Sequence, residues 1–307
     1  MEGNKESNIM LWVKMYSSSY LLTNIYSFEL DPKNAEEHLQ QRIQEFQGGD
    51  RKHSLIFAYW LLSSHYQQHN DYAKALKSYE SMADITDQFD HSHLAWLYKK
   101  NDQWKEAENC YYTALEKNGY NQPWIYIGLG ICKTRQHRFD DAKSDYLKAQ
   151  TIYKERNDPA EAANTVNCIA YLHFLQNEAE PSIRYALEAI EILEQSQVDA
   201  PSYYCAFYDT LACAYELNGQ FDLAEEYFLK AIEIGKIVGD DQRTLAKKYL
   251  SLGNVYLKQN RIEEARNFWK ESLDYLDEIA DRELSTKVKY NLKQNPVEIP
   301  RIQQYAS

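Results

Sequence analysis

Residues 208–235 read YDTLACAYELNGQFDLAEEYFLKAIEIG. Leu211, Ala212 and Tyr215 are spaced one and three apart, and Ala224, Phe228 and Ala231 four and three apart on the far side of Asn218-Gly219. Apolar positions three or four apart predict one buried stripe on each of two helices, and the Asn-Gly pair between them predicts a tight turn. Small side chains let the two helices approach closely, while Tyr215 and Phe228 fill the layer beside them. One such hairpin cannot bury its own apolar face, so neighbours of the same kind are required.

They are present. The same order of apolar, small and aromatic residues recurs as Leu62, Ser63, Tyr66 with Ala75, Tyr79, Met82, and as Leu94, Ala95, Tyr98 with Ala107, Tyr111, Ala114. It continues as Leu129, Gly130, Lys133 with Ala142, Tyr146, Ala149, then as Ile169, Ala170, His173 with Ser182, Ala186, Ala189. The last set is Leu252, Gly253, Tyr256 with Ala265, Trp269, Ser272. Asn70-Asp71, Asn101-Asp102 and Asn260-Arg261 stand where Asn218-Gly219 stands. The pattern resembles the tetratricopeptide repeat, whose 34-residue unit is a helix–turn–helix. The resemblance implies an all-α, right-handed superhelical solenoid of antiparallel helix pairs. Ala75, Ala107, Ala142, Ser182, Ala224 and Ala265 are 32, 35, 40, 42 and 41 residues apart, so the later units are of a longer type. That type is similar to the repeats of kinesin light chains and of bacterial Rap and PlcR-type peptide receptors.

The expected organisation is a degenerate first hairpin over 1–48 and six repeats within 49–279, at about 56–87, 88–122, 123–160, 163–200, 205–242 and 246–279. A capping helix over 280–295, ended by Pro296 and Pro300, and a tail over 296–307 complete it.

A net charge of −12 works against a phosphate-backbone partner, for which a basic stripe supplies most of the affinity. Nucleic acid is therefore not expected. No window approaches the ~20 apolar residues of a membrane span, and Glu2, Glu6 and Lys14 break the pattern of a secretion signal. Five cysteines without a CxxC pair fit reduced thiols in the cytoplasm. His65 and His69 are four apart but lack the glutamate of a metalloprotease helix, and His91 and His93 point to different faces. Gly128-Leu129-Gly130 sits inside a repeat helix and lacks the spacing of a nucleotide loop. The acidic pairs Asp140-Asp141, Glu225-Glu226 and Glu263-Glu264 open second helices, where they favour the helix dipole. No cofactor, metal or catalytic set is expected.

The resemblance also implies where a partner would bind, since the first helix of each repeat lines the concave face. The candidate groove residues are Trp60, Trp96, Lys99, Trp124, Arg135, Asn164, Asn167, Tyr171, Phe174, Asp209 and Asn254. Asn164, Asn167, Tyr171 and Phe174 share one helix face, and Arg135 with Trp124 on one side and Asp209 on the other are expected to complete a pocket. Amides match the donors and acceptors of a peptide backbone, and exposed aromatic rings are typical anchors. The family's clamp for chaperone C-termini, built from lysines and asparagines on three successive repeats, is absent from these positions. A non-enzymatic scaffold or adaptor holding a partner segment is the first expectation. A bacterial peptide-sensing receptor of the Rap or PlcR type is the alternative, and an enzyme without a recognisable motif is remote.

Overall fold

The computed structural model describes residues 34–47, 51–86, 89–118, 121–278 and 281–296. The first helix expected for the degenerate hairpin, the Pro300 stop and all but the start of the tail lie outside these residues. Among the described residues there are fourteen α-helices and no strand. They are α1 (Ala35–Gln47), α2 (Lys52–Gln68), α3 (Tyr72–Ala83), α4 (His91–Lys100), α5 (Trp104–Asn118), α6 (Pro123–Arg135) and α7 (Phe139–Glu155). There follow α8 (Pro159–Leu175), α9 (Ala179–Ser196), α10 (Pro201–Leu217), α11 (Phe221–Val238), α12 (Gln242–Lys258), α13 (Ile262–Glu278) and α14 (Arg282–Gln294). From α2 onward they pack as successive pairs, α2 on α3 through α12 on α13, with α14 closing on α13. The chain divides into two compact units, Met1–Tyr120 and Asn121–Ser307.

The turn inside each pair places one residue in the left-handed region: Asn70, Asp102, His137, Asn177, Gly219 and Asn260. Asparagine and aspartate tolerate that conformation better than other side chains, and glycine adopts it freely, which is why these types recur at the turns. The helix starts explain the stretched period of the later units. Asp158 and Asp241 cap α8 and α12 by accepting backbone N–H bonds from Glu161 and Thr244, and prolines open α8 and α10. These first helices therefore begin about one turn earlier than the repeat starts expected at 163, 205 and 246.

Small residues mark the crossings. Ser63 and Ser182, both fully buried, donate to the carbonyls of Ala75 and Ala170 at 2.8 and 2.9 Å. A Cβ on Gly253 would lie 3.0 Å from the Ala265 carbonyl and press into the Trp269 ring, so glycine is needed for that approach. Ala142 and Ala224 have no exposed surface. Ala224→Leu is expected to cost about 1–3 kcal/mol by overpacking the crossing of α10 and α11. Thermal melting of the variant checks this, and an unchanged midpoint would show that the crossing is not tight.

Polar bonds join successive pairs at three of the sites that follow a small residue. Tyr66 donates to Glu36 at 2.8 Å, Tyr98 to Glu80 at 2.5 Å and Tyr256 to Glu225 at 2.6 Å, each on the preceding second helix. Where the tyrosine is replaced the bond falls within the same helix pair. Lys133 forms a buried ion pair with Asp145 at 2.5 Å on α7, and the His173 imidazole meets Glu178 at 2.5 Å. No described helix is long and apolar enough to cross a membrane.

Candidate functional site

In the unit Met1–Tyr120 the groove candidates are largely occupied in packing. Trp60 is half-buried and stacks on Phe57 with centroids 5.8 Å apart. Trp96 lies edge-on to Tyr72 at 5.8 Å and stacks on His93 at 5.6 Å, while the Lys99 ammonium sits 5.9 Å from the Tyr111 ring centre. Both rings are half-covered, by neighbours three residues away on the same helix and, for Trp96, by Tyr72 on the adjoining helix.

In the unit Asn121–Ser307 the candidates stand on α6, α8, α10 and α12. Asn164 is half-buried and donates to Glu161 Oε2 at 3.3 Å, and Tyr203 from α10 donates to the other oxygen of Glu161 at 2.7 Å. Glu161 therefore ties the opening turn of α8 to α10 and orients Asn164. About two turns on, Tyr171 keeps 39% of its surface exposed and inclines toward Phe174, with centroids 5.9 Å apart.

Asn167 differs from expectation. It is not an exposed amide: only 7% of its surface is accessible, and its Oδ1 has no hydrogen-bond partner. An unpaired buried acceptor costs about 1–3 kcal/mol, so it is a place where a donor would be gained at little further desolvation. Asp209 occupies the corresponding register on α10, which packs directly against α8. Its carboxyl is partly covered, and desolvation pushes its pKa up to about 6, with Lys248 lowering it and Asp240 raising it. Beside it, burial raises the Cys213 thiol well above its ordinary value.

These groups sense one another. Burial pushes the Tyr171 phenol up, the Arg135 guanidinium from α6 draws it part of the way back, and Cys213 and Asp209 push it up again. Arg135, Tyr171 and Asp209, on three first helices, thus lie within electrostatic reach of one another. Trp124 is not part of the same cluster as Arg135. It is 45% exposed at the opposite end of α6, about 16 Å along the helix axis, and bonds Gln122. Asn254 is also engaged elsewhere: its Oδ1 accepts from Trp269 and from Asn291, both at 3.1 Å, and so fastens α12 to α13 and α14. Lys258 bonds Glu216 at 2.9 Å, closing that end with an ion pair.

The sequence reading did not single out Glu161, Tyr203, Cys205, Asp240 or Lys248. The partners of these residues lie up to 43 positions away, so helical periodicity carries no signal for them. Among the described residues no group of three or more metal-ligating side chains converges.

Residues 203–278 match the tetratricopeptide-repeat family. The chain is similar to response regulator aspartate phosphatase I of Bacillus subtilis (strain 168), with 23% identity over 171 residues. That match takes in 52% of this chain and 42% of the relative, so the chain spans less than half the length of that curated protein. Its fold is similar to the apo form of the quorum sensor NprR from B. thuringiensis, with a TM-score of 0.62 and 13% identity over 87% of this chain and 81% of that one. It is also similar to a tetratricopeptide repeat protein from Parabacteroides merdae, with a TM-score of 0.57 and 17% identity over 85% of this chain and 99% of that one. Residues 203–278 thus match tetratricopeptide repeats, and the fold of the chain is that of a helical repeat array similar to solved tetratricopeptide-repeat proteins.

Proposed function

We propose that this chain is a non-enzymatic, cytoplasmic binding protein whose first helices α6, α8 and α10 hold an extended segment of a partner polypeptide. The observation that carries this reading is the pairing of an orphaned buried acceptor, Asn167 Oδ1, with a desolvated carboxyl, Asp209, at one register of neighbouring helices. Both ask for donors, and a peptide supplies them as backbone N–H groups and as a cationic side chain or terminus. Tyr171 offers the adjoining exposed ring for apolar contact.

A second reading, a receptor for a free signalling peptide, is favoured by the likeness to a protein named as a quorum sensor and to one named as a response regulator phosphatase. The same residues would serve either ligand.

Asn167→Leu discriminates binding from packing because it replaces the amide with an apolar group of similar size. The orphaned acceptor disappears, so melting is expected to be unchanged or raised. Partner affinity is expected to fall about tenfold or more, the loss of one hydrogen bond at about 1–3 kcal/mol. Affinity capture from native lysate with mass spectrometry, run in parallel on parent and variant, measures it. A partner retained equally by both, or a variant that simply melts earlier, would remove Asn167 from the site. A short peptide mass co-purifying with the parent selects the receptor reading, and a protein selects the scaffold.

A further inference from the structure

Cys205 on α10 and Lys248 on α12 are 2% and 4% exposed and lie against each other. The Lys248 ammonium donates to Cys205 Sγ at 2.9 Å and to the carboxylate of Asp240. The Cys205 S–H in turn points at the Ala231 carbonyl at 3.2 Å, with Asp240 at 3.4 Å. The thiol hydrogen is thus directed away from the lysine, and a sulfur lone pair faces Nζ. A thiol is a weak acceptor for an ammonium, so the buried charge of Lys248 is compensated by Asp240, and the contact with sulfur is additional to that ion pair. The separation of Sγ and Nζ is close to that spanned by an N–O and an O–S single bond bent at oxygen.

We propose that Cys205 and Lys248 are a covalent modification site, at which peroxide joins Sγ to Nζ through a single oxygen atom and so links α10 to α12. The first peroxide oxidises the thiol to a sulfenic acid: its O–O bond breaks, one oxygen is placed on sulfur and water leaves. Lys248 then passes a proton to Asp240, which already bonds it, and its nitrogen acquires a free electron pair. A second peroxide takes two electrons as the N–O bond forms, and the two hydrogens from nitrogen and the sulfenic hydroxyl leave in water. The whole step consumes thiol, amine and two peroxides and yields the N–O–S link and three waters. Burial slows the first oxidation by keeping the thiol protonated and covered, but it holds the sulfenic oxygen, once formed, in contact with the amine, with Asp240 as the proton acceptor.

The link has a consequence for the groove. A nitrogen bonded to oxygen is no longer a cationic ammonium, so Asp209 loses the lysine charge that now offsets part of its desolvation. This consequence concerns Asp209, but the modification itself does not depend on what the groove binds.

The test uses the full chain treated with hydrogen peroxide, digested and sequenced by mass spectrometry. The expected product is a peptide pair joined at Cys205 and Lys248, with one oxygen gained and two hydrogens lost, and converted back to thiol and amine by dithiothreitol. Lys248→Arg keeps a cation beside Asp240 and is expected to abolish the link and let Cys205 run on to sulfinic acid. Carboxyl-resolved NMR titration of Asp209 is expected to move upward on oxidation of the parent protein and to stay put in Lys248→Arg. Recovery of Cys205 as free thiol, as an unlinked sulfinic or sulfonic acid, or bonded to nitrogen without oxygen would each overturn the proposal. Because mass is the primary readout, its failure is separable from failure of the peptide-binding reading.

Discussion

Lys133→Ala is expected to destabilise the protein by about 3–5 kcal/mol, the largest loss we anticipate from a single substitution. Lys133 and Asp145 are both nearly inaccessible, at 6% and 3% of their surfaces, and their ion pair stands where most other repeats have a tyrosine. Removing the lysine leaves Asp145 with Lys148 at 3.2 Å as its charge partner, and Lys148 is itself mostly solvated. A buried carboxylate stripped of its close partner costs far more than the pair contributes. The companion experiment follows from the same physics. Replacing both residues, Lys133→Met with Asp145→Leu, removes two desolvated charges together and is expected to return most of the lost stability or exceed the parent. Chemical denaturation of the parent, the single and the double variant checks this. A single variant as stable as the parent would mean that water reaches Asp145.

Asp209→Asn is expected to act in the opposite direction on the fold. Its carboxyl titrates at 3.8 when unhindered and is pushed up to about 6 by desolvation in the folded chain. Between those values the folded protein holds the proton and the unfolded chain releases it. By linkage, the stability attributable to this group declines as pH rises from about 4 to 6 and stays lower above that, by about 3 kcal/mol at most. The asparagine variant carries no such charge and is therefore expected to be more stable than the parent at pH 7 and equal to it near pH 4. Partner affinity is expected to fall in the variant, and in the parent to fall as pH drops through about 6, because only the ionised carboxylate attracts a cationic group. A residue whose removal strengthens the fold while weakening binding is one held against the demands of stability. Melting and binding measured at both pH values test this, and a variant less stable at pH 7 would show that Asp209 supports the fold.

The hairpins were legible because their signals are local. Small residues such as Ala142, Ala224 and Ser182 recur at intervals set by helix length, and every one of them is fully buried. The turn residues Asn70, Asp102, Asn218 and Asn260 mark the boundaries because backbone conformation is decided within a few residues. The longer helices in the later repeats were legible only as a changed period. The exact starts depended on the caps Asp158 and Asp241 and on Pro159 and Pro201.

The site was legible only in outline. Helical spacing alone puts Asn164, Asn167, Tyr171 and Phe174 on one face of α8, and the repeat register puts Asp209 beside them. Which of those side chains remain available is a property of their surroundings. Asn167 is covered with an unmatched acceptor, Asn254 is taken by Trp269 and Asn291, and Trp60 and Trp96 are drawn into packing. Periodicity determines the face a residue shares, because the helix geometry is common to every sequence that forms one. Desolvation, hydrogen-bond supply and the meeting of Cys205 with Lys248 are decided by neighbours distant in sequence, and those exist only once the helices have packed.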